Sequence, residues 1–110
     1  MSWISLNDMA TVQGFSLEEN PQIIFKHSPR CGISSMILRG FEKSDLFKNQ
    51  SDDFWLLNVR ENRAISDFLA KDLSIQHESP QVLVLWKGVV VYHASHSAID
   101  ADKIELAIRQ

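Results

Sequence analysis

The sequence predicts an α/β domain built on a central mixed four-stranded sheet with helices on both faces. Three observations carry this prediction. Short apolar runs of strand character alternate with segments of helical period, in the order α-β-α-β-α-β-β-α. Two strands separated by a helix run parallel through a right-handed crossover. Finally, Lys87-Gly88 joins two consecutive strands as a tight hairpin, which adds an antiparallel pair.

The elements follow in order. Leu6, Met9, Val12 and Phe15 recur at helical spacing, with Ser5 or Asn7 as candidate caps and a turn near Glu19-Asn20-Pro21. Gln22 to His27 is a short β-branched and aromatic run after a proline and reads as a buried strand. From Cys31 the period changes, and Ile33, Met36, Ile37 and Phe41 share one helical face. Phe54 to Val59 is a second strand. Ile65, Phe68, Leu69 and Leu73 then mark a helix through about Leu73. "QVLVLW" and "VVVYHA" form the hairpin, and a last helix starts near Asp100. The chain of 110 residues shows no repeat and no linker, so it reads as one domain. This order is the thioredoxin-like arrangement.

Composition narrows the function. The formal net charge is −3 with no block of like charges, which disfavours nucleic acid as a partner. The N-terminus has neither a basic start nor a long apolar run. The stretch from Val82 to Tyr92 is broken by Lys87 and Gly88 and is too short to cross a bilayer as a helix. The expectation is a cytoplasmic monomer without membrane contact. A single cysteine excludes an intramolecular disulfide, so any disulfide chemistry involves a second molecule.

That cysteine lies in "FKHSPRCGIS", where a strand becomes a helix. Unpaired amides and the dipole at a helix start stabilise an anion, and cysteines placed there or beside cations are favoured as thiolates. Arg30 adjoins Cys31, Lys26 and His27 lie just upstream, and Gly32 follows, so these four are candidate thiolate-stabilising or site-lining residues. A lone buried cysteine can also be inert packing; the strand-end, helix-start position favours a functional thiol. Ser34 stands three residues on, where a dithiol enzyme would carry its second cysteine. Its hydroxyl can donate to a thiolate but cannot resolve a mixed disulfide. It can equally be a plain polar residue of the first turn.

A second segment is "HESPQVLVLWKG". Pro80 directly precedes a strand, a position suited to a cis peptide that exposes backbone groups. The amide and carbonyl of Ser79 could then pair with an extended substrate segment. The bland alternative is a loop proline opening a strand. His96 in "ASHSAI" is a further candidate for lining the site. His77, His93 and His96 have no metal-ligand spacing, so no metal is expected. Trp55 and Trp86 read as core, Trp3 is open, and Asp45, Asp52 and Asp53 read as solvated loop charges.

Together "FKHSPRCGIS", "LLNVRENRAIS", "SIQHESPQVLVLWKG" and "ASHSAI" resemble the monothiol bacilliredoxins, a branch of the thioredoxin superfamily. The resemblance covers Phe25 to Ile99. The family usually has proline after its cysteine, where this chain has Gly32. The resemblance implies a monothiol oxidoreductase that removes low-molecular-weight thiols, bacillithiol in particular, from S-thiolated proteins in stress responses. Cys31 would be the nucleophile and bacillithiol a co-substrate, with no bound cofactor. "PRCGIS" is also similar to the cysteine motif of monothiol glutaredoxins, which implies an iron–sulfur cluster carrier. The Gly-Gly-x-Asp segment with which that family grips glutathione is not matched by "VVVYHASHSAID". An adaptor with an unreactive thiol is the third reading.

Overall fold

The computed structural model describes residues 3–49 and 52–109. Its sheet has five strands in the order β1-β3-β2-β4-β5. These are β1 (Ile4–Ser5), β2 (Gln22–His27), β3 (Asp53–Asn58), β4 (Gln81–Trp86) and β5 (Val89–Ser95). β1 and β2 run parallel to β3, whereas β4 runs antiparallel to both β2 and β5. The expected thioredoxin-like α/β arrangement is therefore present, with a correction from four strands to five. The added strand is two residues long and exposed, too short for alternation to reveal it. Its pairing continues in the Leu6 amide, which donates to the Leu56 carbonyl at 2.9 Å.

The helices are α1 (Met9–Gln13), α2 (Gly32–Glu42), α3 (Asp45–Asn49), α4 (Arg63–Leu73) and α5 (Ala101–Ile108). The single helix expected from Leu6 to Phe15 is instead α1 plus a 3₁₀ turn at Phe15–Leu17. Asp8, rather than Ser5 or Asn7, caps α1, its carboxylate accepting from the Ala10 amide.

Side-chain alternation along the strands divides the core into two layers. Ile24, Leu57, Leu83 and Leu85 pack with Val12, Phe15, Ile65 and Leu69 on the α1 and α4 side. Ile23, Phe25, Phe54, Val82 and Val84 pack with Phe41, Leu46, Phe47 and Ile104 on the α2, α3 and α5 side. Trp3 belongs to this second layer. Its ring meets Phe25, Phe41, Phe47 and Phe54 at centroid distances of 4.8–6.0 Å, and its Nε1 donates to Glu42 at 2.6 Å. Such ring pairs contribute about 0.5–1.5 kcal/mol each beyond their buried area.

Of the three aspartates expected in solvated loops, Asp45 is exposed as expected, though on a helix, and the other two have side-chain partners. Asp45 lies in the first turn of α3, where a carboxylate favours the helix dipole. Asp53 opens β3 and accepts from Gln22 Nε2 at 2.9 Å. Asp52 pairs with Arg109 at 2.7 Å.

Candidate active site

β2 is the middle strand of the sheet, and its end at His27 leads through Ser28, Pro29 and Arg30 to Cys31. Cys31 has an extended backbone (φ −102°, ψ 118°) and is the N-cap of α2. Its carbonyl accepts from the Ser35 amide at 3.0 Å, and its amide donates to the Ser28 carbonyl at 3.0 Å. The thiol makes no capping hydrogen bond and is half-buried. No acidic residue occupies the first turn of α2, so the partial positive charge there is uncompensated by a carboxylate. Cys31 is thus a half-buried residue at the anion-favouring end of an eleven-residue helix.

The opposing wall is the segment before β4. The Ser79–Pro80 peptide is cis, Pro80 is buried and Ser79 half-buried. Ser28 Oγ lies 2.7 Å from Ser79 Oγ, which brings the cysteine loop against this bend. The Pro80 carbonyl accepts from the His96 amide at 2.9 Å. That contact places His96 beside the bend through its backbone, with its ring exposed and its φ at +54°. Among the described residues, neither the amide nor the carbonyl of Ser79 has a backbone partner. Unpaired backbone groups of this kind are what strand addition uses.

Ser34 is placed differently from the expected thiolate donor. It is fully buried, its Oγ accepts from the Ser28 amide at 3.1 Å, and it lies 2.8 Å from His27 Nδ1. The structure shows no hydrogen bond from Ser34 to Cys31, because the hydroxyl is drawn beneath the helix by these two partners. His27 is itself buried, and desolvation lowers its pKa from 6.5, against a raising influence of Glu42. A continuous chain therefore runs from His27 through Ser34 and Ser28 to Ser79.

Lys26 is not brought to the thiol. Strand alternation turns it to the α4 side, where it is fully buried and its Nζ donates to the Ser66 carbonyl at 3.2 Å. Arg30 and Gly32 flank Cys31 and are both exposed, and a Cβ at Gly32 would meet nothing within 4 Å. Two further features of the site had no clear mark in the sequence. Ile33 and Met36, on the first turns of the helix that Cys31 caps, are 58% and 59% exposed and leave apolar surface there. Their helical period was legible, but a period does not tell which apolar residue lacks a neighbour. Ser28 carries no signal in the sequence beyond its place between strand and helix. Among the described residues no group of three or more His, Cys, Asp or Glu could hold a metal ion.

Comparison with known proteins agrees with this geometry. Residues 4–104 match the family described as monothiol bacilliredoxin BrxC. A solved thioredoxin-fold protein proposed to be an oxidoreductase superposes with a TM-score of 0.81 at 28% identity, covering 94% of this chain and 91% of that one. Thioredoxin from Trypanosoma brucei brucei superposes with a TM-score of 0.75 at 14% identity, over 98% and 88%. Malassezia sympodialis thioredoxin gives 0.71 at 19% identity, over 97% and 88%. The last two similarities are of fold.

Proposed function

The chain belongs to the monothiol bacilliredoxin family, and from that premise we propose that it strips a low-molecular-weight thiol, bacillithiol, from S-thiolated proteins. One observation carries the reading: a lone, half-buried cysteine caps α2, and the loop leading to it meets, through Ser28 and Ser79, a bend whose Ser79 amide and carbonyl have no backbone partner among the described residues.

The exchange is a two-step displacement. The Cys31 thiolate attacks the small-thiol sulfur of a mixed disulfide on the substrate protein. An S–S bond to Cys31 forms, the original S–S bond breaks, and the substrate cysteine leaves as a thiolate that takes up a proton. Ser34 cannot displace the adduct, so a second molecule of small thiol attacks it. That step releases the symmetric disulfide and restores the Cys31 thiolate. Two electrons pass from the second thiol to the substrate protein.

The substrate segment is held by pairing with Ser79, and the apolar side chains of Ile33 and Met36 cover it. Arg30 and His96 line the mouth. Such exchange belongs in a reducing compartment, and we assign the protein to the cytoplasm as a monomer acting in redox homeostasis under stress.

The test is transfer. Incubation with a bacillithiolated protein should move the adduct to Cys31, read by intact mass, and Cys31→Ser should accept none. A wild-type chain that stays unmodified while the substrate keeps its adduct would overturn the reading.

A further inference from the structure

On the other face of β2 from the thiol lies a polar cluster that the exchange steps do not use. Lys26 is 0% exposed and Ser66 is 0% exposed. Lys26 Nζ is 3.2 Å from the Ser66 carbonyl and 3.3 Å from His77 Nδ1, and Ser66 Oγ is 3.1 Å from the same nitrogen. A lysine in such a place is a poor way to fill volume. An apolar residue of the same length would avoid desolvating an amine, and replacing buried charge by hydrocarbon is often neutral or stabilising.

The partners of Lys26 suggest what it is for. His77 lies in residues 74–80, which have no regular secondary structure and join α4 to β4. The stretch leaves α4 at Ser74, whose φ is +55°, and ends in the Ser79–Pro80 bend. Its first part is held by Ile75, which packs against the core on the α4 side and whose amide donates to the Ala70 carbonyl at 3.1 Å. Gln81 Nε2 donates to the Gln76 carbonyl at 3.0 Å, and His77 docks on Lys26 and Ser66. His77 stands two residues from Ser79.

We propose that Lys26 is a positioning residue, which through His77 fixes the Ser79–Pro80 bend relative to the Cys31 thiol. Consecutive residues of one strand then set both walls of the slot. His27 braces the start of α2 through Ser34, and Lys26 braces the bend through His77. The proposal rests on the exchange reading above, since the bend matters only where a substrate strand pairs with it.

The test compares two electrophiles on the full chain. The small aromatic disulfide 5,5′-dithiobis(2-nitrobenzoic acid) needs only the thiol. An extended peptide carrying a bacillithiol mixed disulfide needs the bend as well. Lys26→Met should retain the wild-type melting temperature or exceed it, and should react with the aromatic disulfide within about two-fold of wild type. It should raise the half-saturating concentration of the peptide about ten-fold, the scale of one lost hydrogen bond. Equal losses toward both electrophiles, or an unchanged response to the peptide, overturn the proposal. Should Lys26→Met fail to fold, His77→Leu removes the other end of the contact from a half-buried loop position and should show the same split. Where both fold, the double variant should be no worse than either single one, and additive effects overturn the proposal. A wild-type protein inert toward the peptide disulfide refutes the exchange reading itself, an outcome distinct from a variant that merely equals wild type.

Discussion

Ser28 Oγ lies 2.7 Å from Ser79 Oγ, and through this contact the loop that leads to the thiol touches the Ser79–Pro80 bend. Both residues are half-buried, so either hydroxyl left alone still reaches water. Ser28→Ala should therefore lower stability by only about 0.5–1.5 kcal/mol, measured by urea unfolding. It should slow exchange with a peptide disulfide more than exchange with a small aromatic one. Equal slowing toward both would show that the contact does not set the slot.

Ser34→Ala should be the costlier serine change. The Ser34 hydroxyl is fully buried and serves both the Ser28 amide and His27. Removing it leaves those groups unsatisfied, at a cost of about 1–3 kcal/mol. Ser34→Ala losing no more stability than Ser28→Ala in the same urea titration would contradict this ranking.

Gly32→Pro should stabilise the fold. Gly32 is the first residue of α2, where proline is favoured and no helical hydrogen bond is lost. The preceding residue must be extended, and Cys31 already has φ −102° and ψ 118°. A Cβ at position 32 meets no neighbour within 4 Å. The expected gain is about 0.4–1 kcal/mol from a less flexible unfolded chain. A fall in the unfolding midpoint would show that this helix start cannot take the ring.

The pH profile of stability should have two sloping arms. Burial, the largest cause for both residues, lowers the His27 and His77 pKa values below 6.5. For His77, Lys26 on β2 and Arg63 on α4 push the same way, against Asp67 on α4 and the neighbouring Glu78. The unfolded chain then binds more protons as pH falls through 6.5, so stability is complete above that value and declines below it. Burial also lowers Lys26 to about 8 from 10.5, with Asp67 opposing. Between those values the unfolded chain again holds more protons, so stability should rise with pH from about 8 to about 10.5. Lys26→Met should remove the alkaline arm and leave an acid one, shallower because His77 loses the push of Lys26. An alkaline arm that survives in Lys26→Met would assign it to another group.

Anaerobic incubation with iron, sulfide and a small thiol should leave a colourless monomer. β5, which follows β4 through the hairpin, ends at Ser95 and passes into a 3₁₀ turn at His96–Ala98, with no glycine pair there to grip a tripeptide thiol. A brown dimer with visible absorbance would favour the cluster-carrier reading instead.

The sequence was most informative where one period ran long enough to be unambiguous. Gln22 to His27 is entirely buried, and its six residues match the expected strand. The hairpin through Lys87 and Gly88 shows both residues at positive φ, as such a turn requires. Ile4 and Ser5 form only a two-residue bridge, so nothing local marked them as strand. Asp45 to Asn49 make little more than one helical turn, settled by burying Leu46 and Phe47 rather than by a pattern. At the site, the meeting of the cysteine loop, at Ser28, with the Ser79–Pro80 bend is in keeping with the element order. The directions of Lys26 and Ser34 do not follow from it. Proximity in sequence makes both of them candidates for the thiol, with Ser34 equally readable as a plain polar residue of the first turn, whereas strand alternation and the pull of His27 turn them elsewhere.

The sheet order gives the thiol a sheltered base. β2 has β3 on one side and β4 on the other, while β1 and β5 form the two rims. Rims fray first, and the innermost ladder opens only when the whole fold does. Amides of Ile23 to Lys26 should therefore outlast those of Ile4 and Ser5 in deuterium exchange, and mild denaturant or proteolytic trimming at the β1 margin would leave the sulfur on its footing.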